Sequence, residues 1–154
     1  MADPAGTVDP DPGVEAWASI AELFLSSENT DRFHRACQTV DLPPPALKAL
    51  LSLDQDAALS MRTLASSWHC DASWVTSLVD ILEERGLVER RVPATDRRVK
   101  TVVLTDKGVA TKADALGVLR IAPPAMAALS FDERRQLRDL LAKLVAAHRA
   151  GTRS

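Results

Sequence analysis

The feature that most restricts how this chain can fold is a change of apolar period at Gly86. Before it, Arg62 to Trp68 (Leu64, Ala65, Trp68) and Ala72 to Arg85 (Val75, Leu78, Val79, Leu82) carry apolar residues at helical spacing. After it, Leu87 to Val92 and Val99 to Leu104 are β-rich runs that read as strands. His69-Cys70-Asp71 turns the chain between the two helices, with Asp71 placed to cap the second. Gly86 sits where a helix C-terminus wants a residue free to turn left-handed. The polar, basic segment Pro93 to Arg98 joins the two strands as a hairpin loop.

The flanks are helical. Met1 to Gly13 carries Pro4, Pro10 and Pro12 and reads as a disordered tail. Trp17, Ile20, Leu23 and Phe24, then Phe33, Ala36, Cys37 and Val40, recur at helical spacing, with Ser26 to Thr30 between them. That pattern predicts two helices or one bent one. A short helix follows over Ala46 to Leu53, its opening tolerant of proline. Thr105-Asp106-Lys107-Gly108 opens a helix running to about Ile121, and Pro123-Pro124 ends it. Ser130 and Glu133 form a capping box ahead of a last helix that runs to about His148, striped by Leu137, Leu140, Leu141, Leu144 and Val145. The predicted fold class is therefore mainly α with a small β-hairpin (α+β): a winged helix-turn-helix core between N-terminal and C-terminal helices.

Charge divides along the chain. The formal net charge is −2, yet Met1 to Glu84 holds 4 Lys/Arg against 14 Asp/Glu, and Arg85 to Lys112 holds 8 against 3. A duplex responds to the local field, so an acidic average does not exclude DNA. No run approaches the ~18 apolar residues of a membrane span, and no signal-peptide pattern opens the chain. A soluble, cytoplasmic protein is the expectation, with no membrane partner.

In a helix-turn-helix the second helix can enter the major groove while the hairpin reaches backbone or minor groove. At about 100° per residue, Val75, Leu78, Val79 and Leu82 form one face of that helix, and Ser73, Thr76, Ser77 and Asp80 the opposite one. Small hydroxyl side chains there can approach base edges or phosphates closely.

From Leu64 to Gly108 the chain reads LASSWHCDASWVTSLVDILEERGLVERRVPATDRRVKTVVLTDKG. This stretch resembles the DNA-binding core of the MarR (multiple antibiotic resistance regulator) family. The resemblance lies in Val75-Thr76, Leu82-Glu83 with Gly86-Leu87-Val88-Glu89-Arg90, Asp96-Arg97-Arg98, and Leu104-Thr105 with Gly108. It implies a homodimeric regulator that binds a palindromic double-stranded-DNA operator and responds to a small-molecule effector, more often as a repressor. It also implies a division into a tail (1–13), N-terminal dimerisation helices (14–45), a DNA-binding domain (46–105) and C-terminal dimerisation helices (106–150).

The resemblance assigns Arg98, with Arg97 beside it, to minor-groove and phosphate contact, and Asp96 to shaping the wing, with Arg91 a candidate partner for Asp96. Arg suits a narrow minor groove because its guanidinium is flat and weakly hydrated. The second helix departs from the family pattern: Ser77 and Ile81 stand where many members carry Arg, which disfavours bidentate guanine readout. Trp74 replaces a smaller residue and either packs near the turn with Trp68 or touches a thymine methyl. For an effector pocket the candidates are Trp17, Phe24, Phe33, His34 and Arg120, each of which core packing or solvent explains as well.

His34 and Cys37, and His69-Cys70, complete no ligand set at known spacing, so no metal or cofactor is expected. Cys37 or Cys70 could serve a thiol-based redox-sensing regulator only with a depressed pKa and some exposure. A winged-helix protein-interaction module without DNA binding is the reading from another class, motivated by the acidic first half and the missing helix arginines. No nucleophile triad, phosphate loop or glycine-rich nucleotide motif is present, so the chain does not read as an enzyme.

Overall fold

The computed structural model describes residues 11–55, 57–92 and 100–151. The chain forms two compact units, Met1–Leu119 and Arg120–Ser154.

In the first unit, α1 (Pro12–Leu25) and α2 (Ser27–Thr39) are separate helices. Ser26 breaks them in extended backbone and caps α2, its Oγ accepting from the Asn29 amide at 3.3 Å. The first helix starts at Pro12, two residues earlier than the apolar pattern indicates. Asp11 accepts from the Gly13 amide at 2.8 Å, and proline fits the first turn. The same tolerance starts α3 (Pro44–Ser52) on its prolines.

Next come α4 (Met61–Trp68) and α5 (Ala72–Glu84), the predicted helix pair. Between them His69 takes the left-handed conformation at φ 51°, with its amide and that of Cys70 bonded back to Ser66 and Ala65 carbonyls. This is a Schellman turn built on a histidine, one of the few side chains that visits that region. At the far end of α5 the same device uses Gly86 at φ 69°: Gly86 N donates to Glu83 O at 2.8 Å and Leu87 N to Leu82 O at 2.9 Å.

A three-stranded antiparallel sheet follows, in the order β1–β3–β2. Strand β2 (Val88–Arg91) pairs with β3 (Thr101–Leu104), Arg91 opposite Thr101. The third strand, β1 (Leu59–Ser60), pairs Leu59 with Val102. Its two residues are too few to show alternation, and only tertiary pairing makes them a strand. Helix α6 (Asp106–Leu119) returns to pack on α2. Leu47, Leu50, Leu53, Leu64, Val75, Val79, Leu82, Val88 and Val102 are fully buried at the centre. Each contributes about 1.5–3 kcal/mol of burial.

The second unit holds a 3-10 turn (Pro124–Ala128) and α7 (Phe131–Gly151). Its capping box forms as the sequence predicts: Ser130 N donates to Glu133 Oε2 at 2.7 Å, and Glu133 N to Ser130 Oγ at 3.3 Å.

Candidate nucleic-acid interface

Helix α5 is fixed from both ends and from behind. Asp71 Oδ1 accepts from the Trp74 amide at 2.8 Å and from the Ser73 hydroxyl at 2.5 Å. The Ser73 hydroxyl and that amide hold the exposed Asp71 carboxyl below the usual carboxylate range. Val75, Leu78, Val79 and Leu82 are buried, as the helical wheel requires. Ser73, Thr76 and Ser77 are exposed on the opposite face.

One part of that face differs from the sequence reading. Asp80 is only half exposed, because Arg90 of β2 reaches back to it and to Glu83. The Arg90 amide also donates to Glu83 Oε1 at 3.0 Å. A strand residue thus ties the hairpin to two successive carboxylates of α5. The signal that could have found it is an i, i+3 acidic pair followed by a strand arginine.

A second tie joins the end of α5 to the start of α6. Thr105 N donates to Leu87 O at 3.1 Å, and Thr105 Oγ1 donates to Gly86 O at 2.7 Å while accepting from the Gly108 amide at 3.0 Å. Lys107 Nζ donates to Arg85 O at 2.7 Å. The motif residues Gly86, Leu87, Thr105 and Gly108 therefore meet at one junction.

At the base of the hairpin, Arg91 is exposed and pairs with Glu89. Asp96, Arg97 and Arg98 lie outside the described residues. Trp74 is 48% exposed. With Trp68, Cys70, Leu78, Pro45, Lys48 and Ala49 it lines a shallow concavity of about 240 Å³. Trp68 itself is held by an Nε1–Ser52 Oγ bond of 2.8 Å.

None of the effector-pocket candidates lines that concavity. Trp17 and Phe24 stand on open surface, 68% and 70% exposed, because α1 buries no residue. Phe33 is half-buried with Lys48 Nζ 5.8 Å from its ring centre, His34 is exposed, and Arg120 opens the second unit. Burial pushes the Cys37 thiol up, outweighing a backbone hydrogen bond that lowers it. That is the opposite of what a thiolate sensor needs. Among the described residues no group of three His, Cys, Asp or Glu is placed to hold a metal ion, and no helix is long and apolar enough to cross a membrane.

Two helices at a short turn, the second open on one face, with an antiparallel strand pair clamped beside it, define a winged helix-turn-helix protein. The MarR family model matches residues 42–100. The putative transcriptional regulatory protein for the hcr operon of Thauera aromatica is 33% identical over 115 residues, covering 73% of this chain and 69% of that one. The HTH-type transcriptional regulator TtmR of Methylorubrum extorquens is 33% identical over 104 residues, 68% of this chain. The chain spans about half (53%) of that relative's length. The S. aureus MepR–DNA complex shares the fold at 22% identity, with 84% of this chain and 98% of that one aligned and a TM-score of 0.63. The chain belongs to the MarR family of transcriptional regulators, and its relatives are regulators rather than enzymes.

Proposed function

We propose that this chain is a homodimeric, sequence-specific double-stranded-DNA-binding regulator, a repressor released by a small-molecule effector. The observation that carries the reading is the state of α5: its inner face is buried, both ends are capped, and its outer face of small hydroxyl residues is open. A helix anchored at its ends and inner side, with Ser73, Thr76 and Ser77 exposed on its polar side, is shaped to enter a groove. The fold neighbour MepR was solved in complex with DNA, which supports DNA as the partner.

In this reading Ser73, Thr76, Ser77 and Trp74 face the major groove. Arg97 and Arg98 contact minor groove and phosphate, Asp96 shapes the loop, and Arg91 supports its base. The dimer forms through the unburied apolar residues of α1 and α7, Trp17 and Phe24 on one and Leu140, Leu144 and Val145 on the other. An effector would favour a spacing of the two α5 helices that mismatches DNA, shifting the population by its differential affinity. Trp17, Phe24, Phe33 and His34 of the first unit are the candidates to meet it, and Arg120 of the second is a separate candidate for an anionic group.

The test is selection of bound sites from a random duplex library, followed by titration at several salt concentrations. The expected result is an inverted repeat with half-sites about one helical turn apart. Arg98→Ala should weaken binding across all sequences and lower the salt slope by about 1 per protomer. A monomer in sedimentation, or no duplex retained even in dilute buffer, refutes the reading.

A further inference from the structure

The outer face of α5 has an unusual donor balance. Between Ala72 and Glu84 there is no lysine or arginine. Each hydroxyl on the face already donates its only hydrogen within the helix: Ser73 Oγ to Asp71 at 2.5 Å, Thr76 Oγ1 to the Ala72 carbonyl at 2.8 Å, and Ser77 Oγ to the Ser73 carbonyl at 3.1 Å. A hydroxyl whose hydrogen is committed keeps only acceptor capacity. Asp80 and the exposed Glu84 are acceptors as well. Among the side chains of α5 itself one N–H remains, that of the Trp74 indole on the flank, and a single donor cannot satisfy guanine O6 and N7 together; the Arg90 guanidinium nearby is engaged by Asp80 and Glu83. Trp74, 48% exposed as a residue, is otherwise apolar and borders the concavity beside Trp68 and Leu78.

In the major groove, guanine offers two acceptors, adenine and cytosine offer amino hydrogens, and thymine offers a methyl group. We propose that α5 reads its site by accepting and by apolar contact: hydroxyl oxygens of Thr76 and Ser77 take amino hydrogens of adenine or cytosine, Trp74 covers a thymine methyl, and guanine's O6/N7 edge is not read. This rests on the DNA-binding reading above and specifies what that site selects.

The 154-residue chain is tested on the tightest 30-bp duplex recovered from a random library, with base analogues placed in one half-site. Replacing guanines with 7-deazaguanine should leave the Kd within about twofold, since no contact is lost. Replacing one thymine with deoxyuridine should weaken binding about fourfold, the value of one buried methyl. That sensitivity should vanish in Trp74→Ala and persist in Trp74→Phe, which keeps an apolar ring. Replacing adenine with purine, which lacks the amino group, should weaken binding to the parent chain but not to Thr76→Val.

A tenfold or greater loss on 7-deazaguanine overturns the inference while leaving DNA binding intact. So does a deoxyuridine effect that survives in a folded Trp74→Ala. Recovery of no duplex overturns this inference together with the reading beneath it.

Discussion

Gly108 and Gly117 lie on the same helix, α6, and their replacement by alanine should move stability in opposite directions. A Cβ added at Gly108 would stand 1.9 Å from the Leu87 carbonyl oxygen and 2.9 Å from its carbon. That contact must open to beyond 3.0 Å, and backbone rather than a flexible side-chain end has to yield. The oxygen concerned is the acceptor for Thr105 N, so the junction between α5 and α6 strains or parts. Alanine's intrinsic advantage in a helix is about 0.5–1 kcal/mol. Against it stand about 1–3 kcal/mol for overpacking and about 1 kcal/mol for the hydrogen bond. The net for Gly108→Ala is a loss of about 1–3 kcal/mol, a fall in Tm of roughly 3–15 °C for a unit of this size. At Gly117 a Cβ meets nothing within 4 Å, so Gly117→Ala keeps the propensity gain and should raise Tm by about 2–5 °C. Thermal unfolding followed by circular dichroism reads both. If Gly108→Ala is as stable as Gly117→Ala, the close approach at Leu87 is not what selects glycine in this motif.

Three further outcomes follow from other parts of the chain. Arg90→Ala should cost about 1 kcal/mol, not the several of a fully buried pair, because Asp80 and Glu83 are 50% and 37% exposed and solvent screens them; a double-mutant cycle with Asp80→Ala in urea unfolding should show positive coupling. The Asp71 carboxyl lies below its ordinary 3.8 when folded, so its stabilisation is complete above that pH and disappears as pH falls through the folded value. Asp71→Asn keeps a capping oxygen but no titration, and its Tm should therefore fall less steeply than the parent's below about pH 4. Leu144→Glu should leave helicity unchanged and separate the proposed dimer. Two lost leucine burials, at about 1.5–3 kcal/mol each, would raise the dissociation constant by about 10²–10⁴ in sedimentation equilibrium.

Legibility in the sequence followed the range of the interaction. Asp71, Gly86 and the Ser130–Glu133 box act within five residues on their own backbone, and their roles are visible in residue order alone. The apolar stripe of α5 is equally local in its cause, and all four of its members are buried. What escaped needed partners distant in the chain. Strand β1 exists because Leu59 meets Val102, forty-three positions away, and two residues carry no period of their own. Asp80 occupies a surface position by angle but is half covered, because Arg90 comes from another element. The proposed effector residues are a third case. Trp17 and Phe24 are aromatic at helical spacing, which marks a face to be buried but does not say what buries it, and among the described residues they stay 68% and 70% exposed.

The two ties bear on how regulation can work. Arg90 holds the hairpin to the middle of α5, and the Leu87–Thr105–Gly108 junction holds the end of α5 to α6. Moving α5 against its neighbours would break ionic, backbone and packing contacts together, which makes a discrete rearrangement there expensive. A ligand can shift an equilibrium only by its differential affinity for the two states, a coupling of typically 1–3 kcal/mol. That is too little to dismantle both ties. In a dimer joined through α1 and α7, the low-cost coordinate is the placement of one helix-turn-helix unit relative to its partner. If the chain forms the proposed dimer and an effector controls its DNA binding, that control is expected to act on the spacing of two intact α5 helices rather than on the structure of either one.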